Sequence, residues 1–247
     1  MYFTTEGLVL RETEYKDADK LLTVLTKDRG KLTLRARGVR SRSSRLKSGC
    51  QLLAYSEFTV FENKNSQLVD EAVPIMLFLP LRQDIEKLSL ASYFAQVAEV
   101  LSQEYSPSPE LLSLCLNALY ALSELDRPQT LIKSAFELRA ACLAGYTPML
   151  DGCAVCGAAE PDRFHVMGGV LQCANCLLSD DPGVRLPIHT GTLSAMRYIT
   201  GCDLKRLFSF QLGEQGMKEL SDAAETYLLA QLERGFFTLD FYKSLKI

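Results

Sequence analysis

The chain reads as an α+β protein. A small barrel or strongly curled sheet of five strands comes first, then helices, with a four-cysteine insert between the helices. Three observations predict this. Short alternating runs and turn residues fill residues 1–80. After Pro80 the apolar period changes from two to that of a helix. Two CxxC pairs stand at 153–156 and 173–176.

The strands follow in order. GLVLRE (7–12) is an apolar run with a polar end, and KLLTVLT (20–26) is rich in Leu, Val and Thr. The link TEYKDAD (13–19) is polar and reads as a connection. Asp28-Arg29-Gly30 is a turn, with Gly30 available for positive φ. KLTLRARG (31–38) alternates cleanly. Residues two apart share a face, so Leu32, Leu34 and Ala36 line the inside while Thr33, Arg35 and Arg37 stand outside. YSEFTVFE (55–62) and QLVDEAV (67–73) complete the set, joined by the turn Asn63-Lys64-Asn65-Ser66. Five short strands with tight connections suit a barrel.

The helices come next. Leu90, Phe94, Val97 and Leu101 form an i, i+4, i+7, i+11 stripe. ELLSLCLNALYALSEL (110–125) is apolar on nearly every face and belongs inside a bundle. Pro128 can open the next helix, LIKSAFELRAACLAG (131–145), which Gly145 ends. Helical signal returns at TLSAMRYI (192–199) and in the long segment after Gly216, where Met217, Leu220, Ala224, Tyr227 and Leu228 share a face. The expected domains are residues 1–80, a helical domain of 81–150 and 179–247, and an insert at 151–178.

Composition bounds the class. Of 247 residues, 47% are hydrophobic and 23% charged, enough apolar matter for a real core. No run approaches the roughly 18 apolar residues that span a bilayer. The opening MYFTTEGLVLRE lacks the basic region and small-residue cleavage site of a signal peptide, so a soluble, intracellular (cytoplasmic) protein without a membrane partner is expected. The net charge of −3 hides an asymmetry: residues 1–80 hold 13 Lys+Arg against 10 Asp+Glu, the remainder 14 against 20.

That positive excess is concentrated in LTLRARGVRSRSSRLK (32–47), which carries Arg35, Arg37, Arg40, Arg42, Arg45 and Lys47, with Lys31 just before it. No acid occurs from Arg29 to Gly49. Guanidinium forks suit phosphate oxygens. The three serines at 41, 43 and 44 add donors in a loop able to shape itself to a ligand. The competing reading is a solvated hairpin that keeps the barrel soluble. Against it, no acid is interleaved, and the clustered cations repel one another with nothing nearby expected to relieve them. A nucleic-acid surface is favoured, gripping phosphates without reading bases, since no helix carries a base-reading face. Tyr15, Tyr55, Phe58 and Phe61 are candidate stacking platforms, with core positions the commoner fate of such rings.

Eight cysteines are many for this length. Cys50, Cys115, Cys142 and Cys202 are scattered and read as small buried apolar groups. Cys153, Cys156, Cys173 and Cys176 have the spacing C-x₂-C-x₁₆-C-x₂-C. Each CxxC places two thiolates on one knuckle, and Gly168-Gly169 between them signals a two-residue hairpin that would bring the knuckles together. Four thiolates close a tetrahedral Zn²⁺ site with no open position, which is structural and not catalytic. Two redox dithiols are the alternative, less suited to this ribbon spacing. His165 and His189 read as packing or surface histidines. Glu12, Glu14, Asp17 and Asp19 form an acidic loop that in principle holds Mg²⁺, but no second acidic cluster, P-loop or GxSxG supports an enzyme. The loop reads as a solvated connection whose charge can pair with the neighbouring arginines.

Two segments carry a resemblance to a known family. EYKDADKLLTVLTKDRGKLTLRARGVRSRSSRLKSG (14–49) and GYTPMLDGCAVCG (145–157) resemble the bacterial recombination mediator RecO family. The resemblance implies an N-terminal five-stranded OB-type β-barrel, an α-helical domain and an inserted Cys₄ zinc ribbon holding one structural Zn²⁺. It implies a non-enzymatic DNA repair and recombination mediator that binds single- and double-stranded DNA and anneals complementary strands. With the partner RecR, such a protein helps load recombinase onto strands coated by single-stranded-DNA-binding protein, whose C-terminal tail docks on the helical domain. Arg35, Arg37, Arg40, Arg42 and Arg45 match the family's basic barrel loop and inherit its DNA-contact role. Arg139, Arg197, Lys205 and Arg206 are candidates for the cationic rim of the tail site. Two other classes stay open: an RNA-binding zinc-ribbon protein of translation or transcription, and a metal-dependent nuclease.

Overall fold

The computed structural model describes residues 1–64, 66–176 and 183–245. Asn65 of the predicted turn, residues 177–178 of the insert, and 179–182 and 246–247 of the helical range lie outside the described residues. The chain forms two compact units, one of Met1–Leu125 with Phe236–Ile247, the other of Asp126–Gly235.

In the first unit, β1 (Tyr2–Tyr15), β2 (Asp19–Thr26), β3 (Gly30–Ala36), β4 (Tyr55–Asn63) and β5 (Ser66–Met76) close a barrel in the order β1-β2-β3-β5-β4. This is the OB-type barrel expected. β1 is longer than GLVLRE: its first half pairs with β4 and its second with β2, and both pairings include Gly7 and Leu8. Its register shifts between Val9 and Arg11, a bulge that helps the strand curl across two neighbours. Before the bulge, a Cβ on Gly7 would meet the Val24 Cγ1 methyl at 2.5 Å, so glycine lets β2 pack close there. The predicted link 13–19 is mostly strand, leaving only Lys16–Ala18 as the turn, with Lys16 at φ 53°.

The alternation of β3 holds. Leu32, Leu34 and Ala36 are buried with Val9, Leu22, Val24, Phe58, Val60, Val69 and Ala72 in the barrel core, while Thr33 and Arg37 are exposed. Closure is spare: β3 and β5 run parallel and meet at Arg35↔Leu68.

Helices α1 (Ile85–Leu101) and α2 (Pro109–Glu124) follow, and α2 packs on α1 and on strands β1 and β2. Asp84 caps α1, its carboxylate accepting from the backbone N–H groups of Glu86 and Lys87. A final short helix, α6 (Phe237–Ser244), was not expected from the apolar pattern. It packs on α1, with Phe236 edge-on to Tyr93 at 5.5 Å between centroids.

The second unit holds α3 (Gln129–Leu143), α4 (Thr190–Gly201) and α5 (Glu214–Gln231), with a four-stranded sheet ordered β6-β8-β7-β9. Its strands are β6 (Met149–Cys153), β7 (Arg163–His165), β8 (Val170–Gln172) and β9 (Arg185–Pro187). Between α3 and α5 lies a buried ionic triad, Lys133 Nζ at 2.8 Å from both Glu137 and Glu225. Burial works against the ammonium, but the two carboxylates outweigh it and raise the Lys133 pKa. No helix among the described residues is long and apolar enough to cross a membrane.

Candidate nucleic-acid interface and metal centre

The β2–β3 hairpin places the first part of the basic stretch. Thr26 pairs with Gly30 and Leu21 with Arg35, so Asp19 at the far end of β2 comes beside the Arg35–Gly38 segment. Asp19 Oδ2 accepts from Arg35 Nη2 at 2.6 Å and Nε at 2.9 Å, and Oδ1 accepts from the Gly38 backbone N–H at 2.8 Å. The Gly38 bond, then the Arg35 guanidinium, holds the Asp19 carboxyl below its usual range. Arg40 reaches Glu14 at 3.2 Å and donates to the Asp17 carbonyl at 3.3 Å. Lys31 Nζ donates to the Glu99 carbonyl at 2.9 Å.

Three of the seven expected cations, Lys31, Arg35 and Arg40, are therefore tied to protein oxygens. The expectation that nothing relieves the repulsion within the stretch fails for Arg35 and Arg40. The signal was available: drawing the hairpin register back from Asp28-Arg29-Gly30 sets Asp19 against the arginines. Arg37, Arg42, Arg45 and Lys47 are exposed, and none has an ion-pair partner among the described residues.

The loop that carries them is more fixed than its serines suggest. Val39, Cys50 and Ala54 are buried in the barrel core, and Leu46 packs against it. Successive turns stitch the backbone, with Ser41 N to Gly38 O, Ser44 N to Ser41 O and Cys50 N to Leu46 O. Val9 then clamps the loop's end from both sides, its N–H on Ala54 O and its carbonyl taking Leu53 N–H. The four cations stand on a scaffold anchored by apolar residues.

Of the candidate stacking rings, Phe58 is fully buried, Phe61 lies 5.0 Å from Tyr2, and Tyr55 donates to Glu6 Oε2 at 2.6 Å. Tyr15 is exposed, with the Arg35 guanidinium 5.1 Å from its ring centroid. The acidic run is not a loop open to a cation. Glu12 pairs with Lys20, Glu14 with Arg40 and Asp19 with Arg35.

In the second unit the two knuckles do converge. The Sγ atoms of Cys153, Cys156, Cys173 and Cys176 all lie within 4.8 Å of one another, and those of Cys156 and Cys173 are 3.8 Å apart. Four sulfurs each about 2.3 Å from a tetrahedral ion stand about 3.8 Å apart, so the cluster fits a metal ion. Backbone N–H groups of Cys156, Val155 and Cys173 point at Cys153 and lower its pKa to about 6, which favours a thiolate. Desolvation and the neighbouring sulfurs push Cys173 up to about 12. Crowded thiolates oppose one another, and a cation at the centre reverses that.

The hairpin that joins the knuckles has a four-residue loop, Val166–Gly169, and not a Gly168-Gly169 pair, because β7 ends at His165 and β8 begins at Val170. His165 is buried and its Nδ1 accepts the Gly168 N–H at 3.1 Å. The sheet rests on its helices: Phe164 meets Tyr227 edge-on at 5.3 Å, and Arg197 donates to the carbonyls of Leu150, Asp151 and Ala159. Arg139 donates to the carbonyls of Ile199, Thr200 and Cys202 at the end of α4. Arg139 and Arg197 thus act as struts, while Lys205 and Arg206 remain exposed. His189 pairs with Glu219 and exposes most of its ring. Cys50 and Cys115 are buried, and burial pushes both thiols up to about 12; Cys142 and Cys202 are only half-buried.

Two family models match the chain, described as "Recombination protein O N terminal" over residues 1–78 and "Recombination protein O C terminal" over residues 82–240. A protein from Acetivibrio thermocellus named "DNA repair protein RecO" is 34% identical over 246 residues, covering 99% of this chain and 97% of that one. A protein of the same name from Desulforudis audaxviator is 31% identical over 99% of this chain and 98% of its own. One from Heliobacterium modesticaldum is 34% identical over 89% and 81%.

Proposed function

Because the chain belongs to the recombination protein O family, we propose that it is a DNA repair and recombination mediator that grips DNA through the phosphate backbone. The observation that carries this reading is the set Arg37, Arg42, Arg45 and Lys47, exposed on a pinned loop and without an ion-pair partner among the described residues. Arg35 and Arg40 border it, and Lys31 stands at the other end of β3.

The mechanism is charge neutralisation. Two DNA strands repel one another through their phosphates. Cations held on a rigid loop lower that repulsion and release condensed counterions. The strands then approach and pair by their own bases, which is annealing without sequence preference. Single and double strands both qualify as ligands, because each presents phosphates. Exposed Tyr15 beside Arg35 adds a face on which an unpaired base can rest.

The barrel, residues 1–80, takes the nucleic acid in this account. The helical residues 81–150 and 179–247 recruit proteins: RecR and the C-terminal tail of single-stranded-DNA-binding protein, so that recombinase loads onto coated strands. Cys153, Cys156, Cys173 and Cys176 would hold one Zn²⁺, which supplies folding free energy to the 151–178 insert and leaves no open position for chemistry. The protein acts without catalysis, in the cytoplasm.

The test is equilibrium binding of labelled single-stranded and duplex DNA over 50–300 mM salt. Four neutralised phosphates predict a loss of about 10² in duplex affinity between 50 and 200 mM. Affinity that stays flat across that range contradicts the proposal.

A further inference from the structure

A second feature lies on β3, at the end away from the basic loop. β3 pairs with β5 at Arg35↔Leu68, and beside its first residues lies a short segment from the α1–α2 connection. Lys31 N–H donates to the Gln103 carbonyl at 3.0 Å, and Tyr105 N–H donates to the Lys31 carbonyl at 3.4 Å. Gly30, at φ 69°, is required for this approach, because a Cβ there would strike the Ser106 backbone. The segment ends on Tyr105, which holds φ 56° and is 69% exposed. The bond to Lys31 accounts for its left-handed backbone, while burial does not account for a ring left in water.

The ring borders two hollows. One, about 430 Å³, is lined by Lys31, Thr33, Lys64, Gln67 and Tyr105 among others. The other, about 310 Å³, is lined by Asp28, Arg29 and Tyr105. Around them Arg29, Lys31 and Lys64 are balanced by Asp28, Glu62 and Glu104. A charge-balanced hollow beside an exposed ring suits a flat, neutral group better than a phosphate. The outward row Lys31, Thr33, Arg35 and Arg37 runs from this hollow to the basic loop, about 20 Å at the rise of a strand.

We propose that Tyr105 is a stacking platform for an unpaired nucleobase, so that a single strand lies along the outer face of β3 with its phosphates on the cations and one base on this ring. The inference rests on the nucleic-acid reading above and adds a preference that the cations alone do not supply. Phosphate contacts serve single and double strands alike. A stacking ring serves only bases whose faces are free, so it favours single strands and strand ends.

The experiment measures binding of a labelled oligothymidylate and of a duplex, from 50 to 300 mM salt, by the full chain and by Tyr105→Ala, Tyr105→Phe and Tyr105→Asn. Asparagine tolerates the left-handed backbone and lacks the ring, so it reports on stacking should the alanine variant misfold. Expected is a loss of roughly tenfold or more in single-strand affinity for Ala and Asn, with Phe close to wild type, duplex affinity unchanged and the salt slope unchanged. Equal binding by wild type and the folded Asn variant overturns the inference, as does an equal loss on duplex. Failure of the wild type to bind either DNA sinks the underlying reading instead.

Discussion

The barrel and the cysteine-bearing sheet are both small β structures, and they are held together differently. The barrel has five strands of 7 to 14 residues around a core that includes Leu22, Leu34, Phe58 and Val60, all 0% exposed. The sheet β6-β8-β7-β9 has strands of only 3 to 5 residues and buries Leu150, Phe164 and Leu171. It relies on the thiol cluster and on struts such as Arg197. In the barrel, apolar burial carries the fold, and although Arg35, Arg40 and Lys20 are paired outside it, Arg37, Arg42, Arg45 and Lys47 stay exposed for a ligand. In the sheet, polar side chains are consumed in holding the fold. The difference teaches where to look for a nucleic-acid surface: on the part whose charges are not needed for its own stability.

The largest effect expected from this contrast is on metal removal. Chelation should unfold the β6–β9 sheet, since such sites supply on the order of 10 kcal/mol to their modules. Hydrogen exchange checks it. Amides of Phe164 and Leu171 should lose protection while those of Leu22 and Leu34 keep it. Loss of protection in both regions together would break the distinction.

Next in size is Lys133→Met in α3. It removes the ammonium that lies 2.8 Å from Glu137, 0% exposed, and from Glu225, and should cost about 3–5 kcal/mol in denaturant unfolding. A cost under about 1 kcal/mol would show that the second unit depends less on polar groups than argued.

A smaller effect is expected at Asp19, the acid that ties the barrel's Arg35. Its folded pKa lies below the unfolded value of about 3.9, so its contribution is present at neutral pH and is lost as pH falls through the folded pKa. Asp19→Asn should flatten the barrel's acid sensitivity below about pH 4 in thermal melts. It should also release Arg35, steepening the salt dependence of duplex binding by up to about one unit of slope. No change in slope would mean that Arg35 already serves the ligand while paired.

Much of the barrel was legible because periodicity is a local signal. KLTLRARG shows its inside and outside in the sequence, and the Asp28-Arg29-Gly30 turn sets the register. The cysteine spacing was equally direct. What was not legible depends on contacts distant in sequence or on very short elements. β1 extends at both ends because β4 and β2 pair with it there, while its acids mimic a loop. β6 and β9 are too short for any period to register. α6 is an eight-residue helix whose fit is decided by α1. Within the expected site, the sequence named all seven cations but did not separate the free from the tied, which requires the pairings to Asp19, Glu14 and Glu99. Tyr105 sits outside every apolar pattern, and its place beside Lys31 appears only once the α1–α2 connection is folded back.

The most direct measurement compares two charge-matched variants in duplex binding over 50–300 mM salt. One replaces the exposed set Arg37, Arg42, Arg45 and Lys47 by glutamine; the other replaces the exposed cations Lys205, Arg206, Lys218 and Arg234 of the second unit. The account predicts that the first lowers the salt slope by about 3–4 units with the melting temperature unchanged, and that the second leaves the slope as in wild type. Equal slopes in the first variant and wild type, in a folded protein, would contradict it.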